Sequence, residues 1–168
     1  MPRTGAPPRR GRYATAAAAT AALILPGALY LTAAPAAEAA ASTTIVGNNS
    51  GLCLSVTGAS TSSGATADLY TCNGSASENW TVNSSGTITG NNSGLCLSVS
   101  GDSTALKTTA DISTCDGDSS EKWTVSGSTL VNGAAGLCLS VTGASTALKA
   151  TADMYTCNGS VSENWTVG

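Results

Sequence analysis

The sequence says the same thing three times, and such a repeat sets the architecture before any local signal does. Residues 45–82, 88–125 and 130–167 superimpose almost without gaps. Each copy carries Gly-Leu-Cys-Leu-Ser-Val, then Thr-Ala-Asp, a second Cys, and Glu-x-Trp-Thr-Val. The first cysteines, Cys53, Cys96 and Cys138, step by 43 and 42, and Trp80, Trp123 and Trp165 step identically. Three equivalent units imply three equivalent surfaces. That suits a multivalent binder better than an enzyme with one active site.

The chain begins with a different kind of segment. Arg3, Arg9, Arg10 and Arg12 make a basic start, and an alanine-rich apolar run follows from Ala14 to Ala37. Small-residue triplets then stand at Ala37-Glu38-Ala39 and Ala39-Ala40-Ala41. This three-part order is that of a secretory signal peptide, expected over residues 1–41. Pro26 and Gly27 interrupt the run and argue against a membrane anchor. The remaining residues, 42–168, are enough for one domain with one modest core.

Removing the signal removes every arginine. Lys107, Lys122 and Lys149 then face nine carboxylates, a net charge of −6. Phosphate binding needs a basic surface, so nucleic acid is not an expected partner. Anionic membranes are disfavoured for the same reason. The chain has no histidine. Ser-His-Asp and Cys-His mechanisms are therefore excluded, as is a His-containing zinc site. Nothing in the sequence calls for a cofactor.

Six cysteines fall as Cys53/Cys72, Cys96/Cys115 and Cys138/Cys157, each pair 19 apart. One bridge inside each copy treats all copies alike, and a secreted chain meets the oxidising compartment in which such bridges persist. The close spacing of a metal-binding Cys-x-x-Cys is absent. Three intra-repeat disulfides are the expectation, and the exported protein is expected to be extracellular.

Downstream of the signal the pattern is that of short strands. Leu52, Leu54 and Val56 alternate with Cys53 and Ser55; Ala67, Leu69 and Thr71 alternate with Asp68, Tyr70 and Cys72. Four strands per copy make twelve. If the disulfide joins opposed positions of an antiparallel pair, Ser55 lies opposite Tyr70 and Thr57 opposite Asp68. Ser55, Asp68 and Tyr70 then share the face that carries the bridge. Leu52, Leu54, Val56 and Leu69 turn towards the core. A ring, a carboxylate and a hydroxyl on one face form a sugar-binding set. The ring covers the apolar face of a pyranose, and the polar groups bond its hydroxyls.

Cys-Leu-x-Val and the terminal Glu-x-Trp in all three copies, with Leu-Tyr-x-Cys-Asn-Gly-Ser in the first and variants of it in the others, resemble the ricin B-type lectins. The resemblance covers residues 43–168. It implies an all-β β-trefoil, three four-stranded repeats about a pseudo-threefold axis, with the tryptophans packed inside. It also implies up to three shallow sites for galactose- or xylose-type sugars on a glycan or polysaccharide. The sequence departs from the family pattern at particular positions. Where the family has a sugar-binding aspartate, this chain has Ser55, Ser98 and Ser140. Asp68, Asp111 and Asp153 stand where Gln is usual, and Glu78, Glu121 and Glu163 replace the Gln of Gln-x-Trp. The stacking aromatic is kept as Tyr70 and Tyr155 but is Ser113 in the middle copy.

The expected sugar-binding residues are therefore Ser55, Asp68, Tyr70 and Glu78 in the first copy, and Ser140, Asp153, Tyr155 and Glu163 in the third. The three glutamates have two readings, bonding the backbone of a neighbouring turn or reaching the sugar. The leading expectation is a secreted, monomeric lectin without enzymatic activity. A glycoside hydrolase would need two carboxylates about one bond, such as Asp68 with Glu78 or Asp153 with Glu163. A protein-binding trefoil, or a scaffold whose sugar sites have decayed, is the third reading.

Overall fold

The computed structural model describes residues 41–168; the expected signal segment, apart from Ala41, lies outside the described residues. The first copy forms β1 (Ser42–Gly47), β2 (Leu52–Val56), β3 (Ala65–Tyr70) and β4 (Asn79–Val82). The second forms β5 (Ile88–Gly90), β6 (Cys96–Val99), β7 (Ala110–Ser113) and β8 (Trp123–Ser126). The third forms β9 (Thr129–Asn132), β10 (Cys138–Val141), β11 (Ala152–Tyr155) and β12 (Trp165–Val167).

Six strands form a closed ring. β1 pairs with β12 and with β4, β4 with β5, and β8 with β9. The two remaining seams are narrow: Trp123 N donates to Gly86 O beside the bridge Thr87–Lys122, and Trp165 N to Ser128 O beside a Ser128–Asn164 side-chain bond, both backbone bonds at 2.7 Å. The other six strands form three hairpins, β2–β3, β6–β7 and β10–β11. These hairpins touch one another through β3–β7 pairing and through the bridges Asp68–Thr151 and Thr109–Asp153. A six-stranded barrel with three mutually contacting hairpins is a β-trefoil. Closure leaves the barrel no free edge.

The core repeats as the sequence does. Each copy contributes six buried residues at equivalent positions, as with Ile45, Ile88 and Leu130, or Leu54, Leu97 and Leu139. Trp80, Trp123 and Trp165 are 0%, 4% and 2% exposed. A buried indole needs a partner for its N–H. Each Nε1 donates to the carbonyl of the Leu in its own Cys-Leu-Ser-Val strand: Leu54 at 2.9 Å, Leu97 at 2.8 Å and Leu139 at 2.9 Å. The last strand of each repeat is thus locked to its second.

All three disulfides form within repeats, as Cys53–Cys72, Cys96–Cys115 and Cys138–Cys157, each with a Cα–Cα distance of 5.1 Å. The expected register is corrected, however, in every copy. The residues opposite Cys53, Cys96 and Cys138 are Tyr70, Ser113 and Tyr155, not the second cysteines. Ser55 accordingly faces Asp68, two residues from the expected alignment. Cys72, Cys115 and Cys157 lie two residues past the ends of β3, β7 and β11, on exposed loops. Each bridge therefore joins a buried strand cysteine to an exposed loop cysteine, and ties down the outgoing loop instead of stapling opposed strand positions. A slip of two is one full pleat, so Ser55, Asp68 and Tyr70 still share a face. That face is not simply solvated: Cys53, Ser55 and Asp68 are buried beneath the loop that Cys72 anchors.

Candidate functional site

The bridge-bearing face of each hairpin opens into a small cavity. The first, about 350 Å³, is lined by Ser55, Thr57, Asp68, Tyr70, Ser77 and Lys149, among others. The third, about 440 Å³, is lined by the counterparts Ser140, Thr142, Asp153, Tyr155, Ser162 and Lys107. Tyr70 and Tyr155 are 40% and 37% exposed at the end of β3 and β11, large rings left standing in water.

Two residues before each ring, on the same strand face, a carboxylate of β3 or β11 lines the same cavity. Asp68 and Asp153 are each 5% exposed. Thr57 Oγ1 donates to Asp68 Oδ2 at 3.0 Å. Burial pushes the Asp68 carboxyl above its ordinary range, while the Thr57 bond and the Lys149 charge pull it back in part. Asp153 is raised by burial likewise, against Thr142 and Lys107. Ser55 Oγ donates to Ser77 Oγ at 3.2 Å, which meets Ser75 Oγ at 3.0 Å. Ser140, Ser162 and Ser160 repeat this row at 3.1 and 3.0 Å. The floor is thus a buried acceptor beside a row of hydroxyls. The loops that close it hang from Cys72 in the first repeat and Cys157 in the third.

The glutamates do something else. Glu78 and Glu163 are 0% exposed. Glu78 Oε2 accepts from the backbone N–H of Asn73 at 3.0 Å and Gly74 at 3.1 Å. Glu163 Oε2 accepts from Asn158 and Gly159, both at 3.1 Å. Of the two readings of these residues, the geometry gives the turn. Their expected place among the sugar contacts is corrected: each carboxylate is sealed inside, with Oε2 held by two backbone amides and Oε1 buried without a partner, so neither oxygen reaches the surface where a ligand would sit.

The middle cavity, about 300 Å³, has a different character. It is lined by Asp102, Asp111, Ser113, Asp116 and Glu121. Ser113, in the position of the tyrosines, turns inward and donates to Glu121 Oε1 at 3.3 Å. Glu121 also accepts from the backbone N–H of Asp116, the residue after Cys115. Asp102, where the other copies have Ala59 and Ala144, takes the Ser120 hydroxyl at 2.6 Å. Burial raises the Asp111 carboxyl; a Ser100 bond opposes that shift and the Asp102 charge adds to it. The aromatic is gone, and Ser113, Glu121, Asp102 and Ser120 bond one another or the backbone, while Asp111 Oδ1 is buried without a partner. Among the described residues, no group of three or more His, Cys, Asp or Glu could hold a metal ion.

Sequence reasoning missed Thr57, Thr142 and the two lysines. The threonines follow β2 and β10 directly and have no distinguishing motif. The lysines are invisible for a topological reason: each reaches a cavity belonging to another repeat.

The comparisons agree with this architecture. The profile of the ricin-type beta-trefoil lectin domain matches residues 41–167. No curated protein sequence matches. The designed threefold-symmetric protein ThreeFoil is similar at 27% identity and a TM-score of 0.71, over 75% of this chain and 96% of that one. A non-toxic homologue of type II RIPs from Momordica charantia (bitter gourd), solved with alpha-methyl-D-galactoside, is 26% identical with a TM-score of 0.67. The match covers 76% of this chain and 47% of that one. The exo-beta-1,3-galactanase 1,3Gal43A from Clostridium thermocellum shares the fold at 24% identity and a TM-score of 0.70, over 77% of this chain. This chain spans only 30% of that enzyme. By the profile match across residues 41–167, the chain belongs to the ricin-type beta-trefoil lectin domain family.

Proposed function

We propose that this protein is a secreted, non-enzymatic lectin with two working sugar sites, in the first and third repeats. One observation carries the reading: an exposed tyrosine ring, a buried aspartate and a row of serine hydroxyls line one cavity, twice. The ring takes the apolar face of a pyranose, and Asp68 or Asp153 accepts its hydroxyl protons. Ser55 and Ser140 form the floor. Galactose- or xylose-type sugars are the class proposed. The galactoside complex of the Momordica charantia homologue supports the first of these.

Each cavity is small, so each site binds weakly, and two sites on one polysaccharide raise the apparent affinity through effective concentration. The middle repeat lacks the ring and is proposed to be silent. The burial of Glu78 and Glu163 argues against hydrolysis, since the second carboxylate of each pair never meets a glycosidic oxygen. Three disulfides support an extracellular setting.

A panel of plant and microbial polysaccharides and simple glycans, probed with residues 42–168, tests the proposal. Selective binding that is lost in the Tyr70→Ala/Tyr155→Ala double variant is the expected result. A folded protein that binds no glycan would overturn it and turn attention to protein partners.

A further inference from the structure

We infer that Lys149 and Lys107 are sugar-contacting, specificity-determining residues, each handed to a cavity by a different repeat. We infer also that their ligand is a neutral sugar whose hydroxyls meet a lysine donor and an aspartate acceptor at once. The inference deepens the lectin reading and rests on it.

The placement comes from backbone contacts between hairpins. Lys149 N donates to Leu69 O at 2.7 Å, and Leu69 N donates to Ala150 O at 2.9 Å. The loop of the third repeat is thereby fixed against β3 of the first. Lys107 N donates to Met154 O at 2.7 Å, and Met154 N to Thr108 O at 2.9 Å, fixing the second repeat against the third. In the remaining pair, Gly64 N donates to Ile112 O at 2.7 Å. Gly64, Lys107 and Lys149 are thus one structural position in three copies. The exposed side chain of Lys149 lines the cavity of Asp68 and Tyr70, and that of Lys107 lines the cavity of Asp153 and Tyr155.

The distribution of residues follows cavities, not repeats. The first repeat has Tyr70 but Gly64; the second has Lys107 but Ser113. Grouped by repeat, tyrosine and lysine are scattered. Grouped by cavity, each tyrosine has a lysine, and the cavity without a ring receives the glycine. A purely structural lysine would have no reason to track an aromatic on another repeat.

The backbone argues the same way. Lys107 and Lys149 lie at φ 64° and 66°, and Gly64 at 85°. Glycine occupies this left-handed region without steric penalty, and a lysine does not. The first repeat shows that the fold accepts glycine here. Lysine is kept at the other two copies although this backbone disfavours it; Ala59, Asp102 and Ala144 share that conformation, so the weight rests on the cavity placement.

The chemistry fixes the ligand class. An ammonium only donates and a carboxylate only accepts. Sugar hydroxyls do both, so neighbouring hydroxyls of one sugar satisfy the pair together. An acidic sugar would bring its charge towards a buried aspartate in a domain of net charge −6, so the neutral form is favoured.

The test compares residues 42–168 with the Lys107→Gly/Lys149→Gly variant, which copies the protein's own Gly64. Galactose, xylo-oligosaccharides and oligogalacturonate serve as probes. The expected result is at least tenfold weaker binding of the neutral probe, with a melting temperature unchanged or raised. Equal binding by the variant would overturn the inference and leave the lectin reading intact. Tighter binding of oligogalacturonate than of the neutral probes, weakening with salt, would overturn the assignment to a neutral sugar. A wild-type protein that binds none of the probes rejects the lectin reading and the inference with it.

Discussion

Glu78 offers the sharpest separation of scaffold from site. Its Oε2 accepts two backbone N–H bonds, at 3.0 and 3.1 Å, while Oε1 is buried without a partner. Hydrogen bonds to a charged group are worth about 1.5–3 kcal/mol each, so the pair has an upper bound of about 3–6 kcal/mol. Two effects reduce this. Asn73 and Gly74 lie in an exposed turn where water can replace the lost acceptor, and removing a buried carboxylate recovers its desolvation cost. Glu78→Ala should therefore cost about 2–4 kcal/mol, a fall in Tm of about 10 °C for a domain of this size. Glu78→Gln keeps one acceptor oxygen and buries no charge, so its cost should stay below about 1 kcal/mol. Denaturant unfolding and a glycan titration on the same preparations are the assay. Both variants, while folded, should bind glycan like the wild type. Native stability in Glu78→Ala, or glycan binding weakened tenfold in a native-stable Glu78→Gln, would refute the scaffold role.

Two further outcomes follow from the same geometry. Each disulfide closes a loop of sequence separation 19, so Cys138→Ser/Cys157→Ser should lose about 3 kcal/mol in chemical denaturation. Stability and binding should respond to pH in opposite directions. The folded carboxyls of Asp68 and Asp153 titrate above the unfolded value of 3.8, so the folded state holds its protons longer. Their contribution to stability is greatest in acid and declines as pH rises from the unfolded value through the raised folded one. Sugar binding needs the ionised acceptor, so affinity should rise through that window and fail at a higher pH than an ordinary carboxylate would dictate. Tm and affinity measured between about pH 3 and 7 check both signs; in Asp68→Asn/Asp153→Asn the stability trend should shrink to the part that Asp111, also raised by burial, still supplies.

What could be read from the chain was whatever the repeat duplicates within a copy. The period of 43 and 42, the cysteine pairing, the buried tryptophans and the shared face of Ser55, Asp68 and Tyr70 are intra-repeat properties. Alternation fixes a face modulo two residues, which is why the face was legible while the register was wrong by two. The position of Cys72, Cys115 and Cys157 beyond their strand ends depends on where each loop turns, and alternation contains no such information. Glu78 was ambiguous because a carboxylate that caps a turn and one that grips a sugar have the same sequence neighbours; burial decides between them. Lys107 and Lys149 were out of reach altogether. Their contacts run between repeats, and only the order in which three hairpins meet says which cavity receives which loop.

The central claim is two sites per chain, each with a ring, a buried aspartate and a hydroxyl floor. A calorimetric titration of residues 42–168 with the best monovalent glycan from the panel tests it most directly. Two equivalents should bind, falling to one in Tyr70→Ala and one in Tyr155→Ala. Three equivalents would mean that the middle repeat binds without its ring. Stoichiometry unchanged by either tyrosine substitution would mean that the sugar sits elsewhere on the trefoil.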